Sequence, residues 1–205
     1  MQDNTLAVGL AGRKVIDEFT GRKYEFLSNF YPSPFTISVP HIDDSGEPQT
    51  RQITFPTVEH AFQCQKTLDL VEQDRIAVAD TAGLAKRIGR SVCLRYDWEQ
   101  IKLDVMRNCV REKFLQNSHL MLQLVSTGNA ELIEGNTWRD RFWGKTKDGI
   151  GSNHLGLILM SLRDEFIAEA DFSDRFAQFL IDNDLNLLSL KVQENFEEFN
   201  KLFAK

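Results

Sequence analysis

No stretch of this 205-residue sequence approaches the roughly eighteen consecutive apolar residues that a membrane-spanning helix requires. A membrane partner is therefore not expected. Cysteine is scarce as well: Cys64, Cys93 and Cys109 are odd in number, widely spaced and without a CxxC pair. That excludes a disulfide framework and a paired-cysteine zinc site, and it favours a reducing compartment. Positive charge is not in excess, since 24 Lys and Arg stand against 30 Asp and Glu for a net charge of −6. No global basic field gathers nucleic acid, so any nucleic-acid contact must rest on a local patch. The short apolar run after "MQDNT" follows Asp3 and no Lys or Arg, which argues against a secretory signal and for a cytoplasmic protein. No His-x-x-x-His or acidic-cluster spacing calls for a metal, and no cofactor is expected.

What remains is a chain with 42% apolar residues, enough for one enzyme-sized core. "FTISVPHIDDSGEPQTRQITF" alternates on both sides of a turn-rich centre and predicts a β-hairpin over residues 35–55. After Pro56 the period changes. Val58, Ala61, Phe62, Gln65 and Leu68 share one helical face, Glu59, Gln63 and Lys66 form a stripe beside it, and Thr57 is the expected cap. "DTAGLAKRIGRS" predicts a short helix begun by Asp80 or Thr81 and stopped at Gly89. "YDWEQIKLDVMRNCVREKFLQN" predicts the strongest helix, with a capping box from Asp97 to Gln100 and two apolar stripes. A further helix ends at Gly128, "AELIEGN" reads as a short strand, and another helix starts near Asn153. From Asp171 onward two more helical patterns read as an appended element.

Several residues invite chemistry. Glu59 opens a helix, where it either complements the dipole by roughly 0.3–1 kcal/mol or is a carboxylate kept ionised for function. His60 beside it is more simply a packing residue. "GKT" at Gly144–Thr146 fails as a phosphate loop, because Arg139 stands where that motif needs glycine. "KDGIGSN", which leads into a helix start, presents amides that can face an anion or make an ordinary tight connection. Lys86, Arg87 and Arg90 either finish a helix or hold phosphates. Trp98 heads an apolar stripe and reads as core; Trp143 is equally suited to a buried anchor and a stacking platform.

Taken in order, "YEFLSNFYPSPF", "FPTVEHAFQCQK", "AKRIGR", "DWEQIKLDVM", "KFLQN", "LVSTG", "LIEGNTWRDRFWG" and "GSNHLGLILMSLR" resemble the blocks of the NADAR family, the YbiA-like N-glycosidases. The resemblance runs from about Phe19 to Arg163. It implies an α+β, predominantly helical fold with a small hairpin or sheet for the N-glycosidase domain over residues 19–168, while residues 1–18 read as a leader and 169–205 as a helical extension outside the family pattern. It also implies hydrolysis of the C1′–N bond of a phosphorylated riboside. Two activities are associated with the family: removal of ADP-ribose from guanine in DNA or RNA, and hydrolysis of ribosylamino-pyrimidine phosphates of riboflavin synthesis. A non-cleaving ADP-ribose-binding module is the rival from another class. Carried over by position, Glu59 and Asp140 are the catalytic candidates. Ser28, Asn29, Phe30, Lys86, Arg90, Trp98, Trp143, Gly144 and Asn153 are the substrate-binding candidates. In that scheme Trp98 and Trp143 sandwich the base, Lys86, Arg90 and the loop before Asn153 hold phosphates, and the helix N-terminus keeps Glu59 ionised.

Overall fold

A computed structural model describes residues 14–21 and 23–182, with side chains through residue 171. Most of the expected leader and the end of the expected C-terminal extension lie outside the described residues. By contacts the chain divides into units of residues 1–163 and 164–205. Everything that builds the site described below belongs to the first.

The elements of the first unit follow from local signals. The hairpin pairs β2 (Phe35–Ile42) with β3 (Pro48–Phe55) in antiparallel register, Phe35 facing Phe55 and Ile42 facing Pro48. Phe35, Ile37 and Val39 alternate into the core, as a strand's period of two demands. At the turn, Asp43 Oδ1 accepts from the amides of Ser45 and Glu47, and Gly46 takes φ +85°. Two smaller parallel pairs complete the sheets: β1 (Val15–Ile16) with β4 (Glu131–Leu132), and β5 (Gly135–Asn136) with β6 (Lys145–Thr146). "AELIEGN" is thus two strands separated by Ile133 and Glu134, and "GKT" enters a strand.

Helix α1 (Val58–Cys64) is capped by Thr57, whose hydroxyl accepts from the His60 amide. It is buried along its whole length and ends at Gln65, so Lys66 and Leu68 lie beyond it. Helix α2 (Leu70–Ala77), absent from the sequence-based expectation, is capped by Asp69, which accepts from the Glu72 amide at 2.8 Å. Helix α3 (Ala82–Ile88) starts at Thr81 and stops at Gly89 as expected. Helix α4 (Trp98–Gln116) forms without the anticipated capping box. Asp97 instead pairs with Arg95 at 2.6 Å, and that stronger charge-assisted partner leaves it no side-chain cap bond. Helix α5 (Ser118–Val125) follows, and Gly128 takes φ +62° after it.

Helix α6 (His154–Asp182) runs past Asp171 without a break. The separate helical pattern expected to begin there is, through Asp182, a continuation of α6, because no glycine or proline interrupts the segment. Within the first unit, Leu155, Leu159 and Leu162 on α6 are buried, and Arg163 Nη1 donates to the carbonyl of Ala130 at 2.9 Å. No helix among the described residues is long and apolar enough to cross a membrane.

Candidate active site

Helices α1 and α3, the turn after the short 3-10 segment Glu25–Leu27, and the chain from Glu134 to Trp143 surround a cleft of about 650 Å³. That is the size of a small-molecule site. Glu59, Lys66, Lys86 and Arg90 enter the lining from α1, α3 and the residues just past them, and Glu134, Asp140 and Trp143 from the chain that follows β4. Ser28, Asn29 and Phe30 belong to the lining as well.

The Ser28–Phe30 turn is fixed from below by Lys113. This buried lysine donates to the carbonyls of Phe26 at 2.6 Å and Ser28 at 3.0 Å. Burial without a counter-ion brings its ammonium down to about 7. The Asn29 carbonyl in turn accepts from the Glu59 amide at 3.0 Å, tying the turn to the first turn of α1.

Glu59 is 4% exposed, and Gln63 Nε2 donates to its Oε1 at 2.8 Å. Its pKa is raised: burial is the largest cause, opposed by the Lys86 charge, the Gln63 hydrogen bond and Lys66. This corrects the expectation that the helix dipole sets the ionisation of Glu59. A seven-residue helix has a weak dipole, and desolvation outweighs it. Lys66, beyond the end of α1, donates to the Gly89 carbonyl at 3.3 Å, and burial lowers its pKa. Lys86 lies over the Phe30 ring, 5.4 Å from its centroid.

Asp140 is committed to the backbone. Its Oδ1 accepts from the amides of Phe142 at 3.0 Å and Trp143 at 2.9 Å, and its own amide donates to Asn136 Oδ1. Arg139, at φ +65°, makes the bend that lets this happen. Asp140 thereby anchors the turn that presents Trp143.

Trp98, Gly144 and Asn153 do not line the cleft. Trp98 is 4% exposed and packs on Phe62, 5.0 Å between centroids, while Phe62 meets the edge of Trp143 at 5.3 Å. The two tryptophans therefore sandwich Phe62 and leave no slot for a base between them. Gly144 passes beneath the Glu134 carbonyl, where any side chain would collide. Asn153 is buried, accepting from the Glu134 amide through Oδ1 and donating through Nδ2 to the Leu132 carbonyl. Nor are the four amides at the start of α6 free for phosphate. Those of Ser152, Asn153, His154 and Leu155 donate to the carbonyls of Arg141, Gly144, Phe142 and Trp143. Trp98, Gly144 and Asn153 thus lie behind the cleft lining.

Sequence reasoning passed over Lys66 and Glu134 as site residues. Lys66 was visible on the stripe with Glu59. Glu134 carried no local signal, standing in what read as a plain strand. Among the described residues no group of three His, Cys, Asp or Glu gathers as a metal site, although Glu59, Glu134 and Asp140 share the cleft.

The family model of the NADAR domain matches residues 18–167. The chain belongs to the NADAR family. It is 42% identical over 118 residues to the N-glycosidase YbiA of Escherichia coli, covering 57% of this chain and 73% of that one. It is 37% identical over 147 residues to an N-glycosidase of Nostoc punctiforme, covering 69% and 85%. A riboflavin biosynthesis protein of Vibrio vulnificus is 40% identical over 150 residues, which span 72% of this chain but 37% of the Vibrio protein. The solved structure of Escherichia coli YbiA superposes with a TM-score of 0.62 at 35% identity, covering 77% of this chain and 87% of YbiA. The α+β, largely helical architecture is shared, and these relationships support a hydrolase acting on N-glycosyl bonds.

Proposed function

We propose that this NADAR chain hydrolyses the C1′–N bond of a phosphorylated riboside, and that its substrate is ADP-ribose attached to guanine in a nucleic acid. One observation carries the chemistry. A shielded carboxylate, Glu59, lies in the same cleft as Lys66, Lys86 and Arg90, with the carboxylates Glu134 and Asp140 in the same lining. Departure of the base leaves positive charge on the sugar at C1′, and the Glu59 carboxylate, itself shielded from solvent, stabilises that charge. Its raised basicity also suits it to take a proton from the attacking water. Lys86 and Arg90 hold the phosphates, an arginine fork suiting phosphate oxygens. Ser28, Asn29 and Phe30 form the rim for the ribose, and Trp143 gives the base one aromatic surface.

A polymeric substrate is favoured by what lies beyond the cleft. Past Thr20, Gly135 and the 60%-exposed Trp138, the cleft adjoins a second one of about 490 Å³. A nucleotide next to a modified guanine has room there, with a stacking surface at hand. The names of the Vibrio protein and of a Zea mays relative, both riboflavin biosynthesis proteins, favour a second reading, a ribosylamino-pyrimidine phosphate. The protein is incubated separately with an ADP-ribosylated guanine oligonucleotide and with the ribosylamino-pyrimidine phosphate, and the released sugar phosphate is measured. Release from the oligonucleotide alone is expected. Release from the pyrimidine alone replaces the first reading with the second, and binding of ADP-ribose without release from either makes the protein a reader of that ligand.

A further inference from the structure

Glu134 has no part in the scheme above, yet its surroundings are unusual. It sits between β4 and β5, with its amide held by Asn153 Oδ1 and its carbonyl by the Lys145 amide, both at 2.9 Å. The backbone at this position is therefore rigid. The side chain lines the same cleft as Glu59. Its Oε2 is shielded from solvent and finds no hydrogen-bond partner among the described residues. A shielded carboxylate oxygen with no donor is costly when ionised, and protonation removes most of that cost.

We infer that Glu134 is held as a neutral carboxylic acid and donates its proton to the leaving nitrogen. This rests on the N-glycosidase reading. Two groups divide one task because their environments differ. Glu59 accepts a hydrogen bond from Gln63 and feels Lys86 and Lys66, all of which favour its charged form. Glu134 has no such donor on Oε2 and feels two carboxylates, Asp140 and Glu59, against the single cation Lys86. Burial is the largest cause raising its pKa, followed by Asp140, and the carboxyl is pushed up to about 7. Burial raises both carboxyls, and of the two it is Glu134 whose neighbours add to that rise while those of Glu59 oppose it.

The step balances. As the C1′–N bond breaks, its electron pair goes to nitrogen, which takes the Glu134 proton and leaves as a neutral amine. Water adds to the cationic C1′, and the one proton it releases passes to Glu59 and from there, through water in the cleft, back to Glu134, which regains its acid form. No oxidant, metal or cofactor takes part.

The titratable groups that share the cleft with Glu134 are Glu59, Lys66, Lys86, Arg90 and Asp140, so its pH signature must be separated from theirs by substitution. The parent and Glu134→Gln are assayed from pH 5 to 9 on whichever substrate the parent cleaves, alongside calorimetric titration with ADP-ribose. In the parent, kcat is expected to fall as pH rises through about 7. In Glu134→Gln, kcat at pH 6 should drop by roughly 10²-fold or more and that alkaline limb should vanish, with ADP-ribose affinity changed less than about threefold. A role in packing alone would leave the limb in place. An active Glu134→Gln protein that keeps either its kcat or the limb overturns the assignment while leaving the N-glycosidase reading intact. Should the variant not fold, the parent decides: no alkaline limb between pH 6 and 8 overturns the proton donor. A parent that cleaves neither substrate removes both readings together.

Discussion

The two walls of the cleft differ in charge and in how each is built. One wall carries Glu59 on α1, Lys86 on α3, and Lys66 and Arg90 just past the ends of those helices, whose caps and stops are local. The other wall carries Glu134 on the link between two short strands and Asp140 on a bent turn, both held by side-chain to backbone bonds. The same functional group, a carboxylate, meets cations and a hydrogen-bond donor on the first wall and another carboxylate on the second. Burial raises both carboxyls, but the neighbours pull Glu59 toward its charged form and push Glu134 further toward its acid form, which suits the two ends of one bond: a stabilising charge near the sugar and a proton near the base.

The largest break in this comparison comes from the first wall's single carboxylate. Glu59→Gln should cut turnover by roughly 10²-fold or more while ADP-ribose binding stays near the parent value, because only charge complementary to the transition state is removed. Steady-state kinetics with calorimetric titration checks this. An active Glu59→Gln protein would leave that residue as a buried helix-start carboxylate and nothing more.

The cations come next. Lys86→Ala and Arg90→Ala should each weaken ADP-ribose binding by roughly 1–3 kcal/mol and flatten its salt dependence. Lys86→Ala carries a second signature, because Lys86 lowers the pKa of both Glu59 and Glu134. Glu59 must be ionised, so its acid limb should move to higher pH in that variant. Glu134 must be protonated, so its alkaline limb should move up as well. A binding loss with neither limb displaced would mean that Lys86 meets phosphate but is remote from the carboxylates.

Asp140→Asn sharpens the second wall. An amide oxygen still accepts from the Phe142 and Trp143 amides, so the melting temperature should fall by only a few degrees. Loss of the neighbouring charge should lower the Glu134 pKa and bring its alkaline limb to lower pH. An unmoved limb in a folded variant would remove Asp140 from the electrostatics of Glu134. The smallest effect belongs to Trp98→Phe, which trims a ring behind Phe62. It should cost roughly 1–2 kcal/mol in chemical denaturation and change ADP-ribose affinity less than about threefold. A large affinity loss at unchanged stability would restore Trp98 to direct ligand contact.

By itself the sequence determined what depends on neighbours within four residues. Thr57 and Thr81 cap α1 and α3, Gly89 stops α3, and alternation around Asp43–Gly46 makes the hairpin. The α2 cap, Asp69 with Glu72, was equally local and legible, but the mixed polar segment around it hid the helix. The ordered blocks also fixed the family, since they record contacts that the whole fold requires. Tertiary structure alone decided the rest. Whether Trp98 faces a ligand or Phe62 depends on a helix far away in sequence, and whether the amides before α6 are free depends on carbonyls 141–144 reaching them. The proton of Glu134 is the clearest case. Desolvation and the fields of Asp140, Lys86 and Glu59 arise only when residues 59, 86, 134 and 140 enclose one cleft, and no short-range pattern encodes that energy.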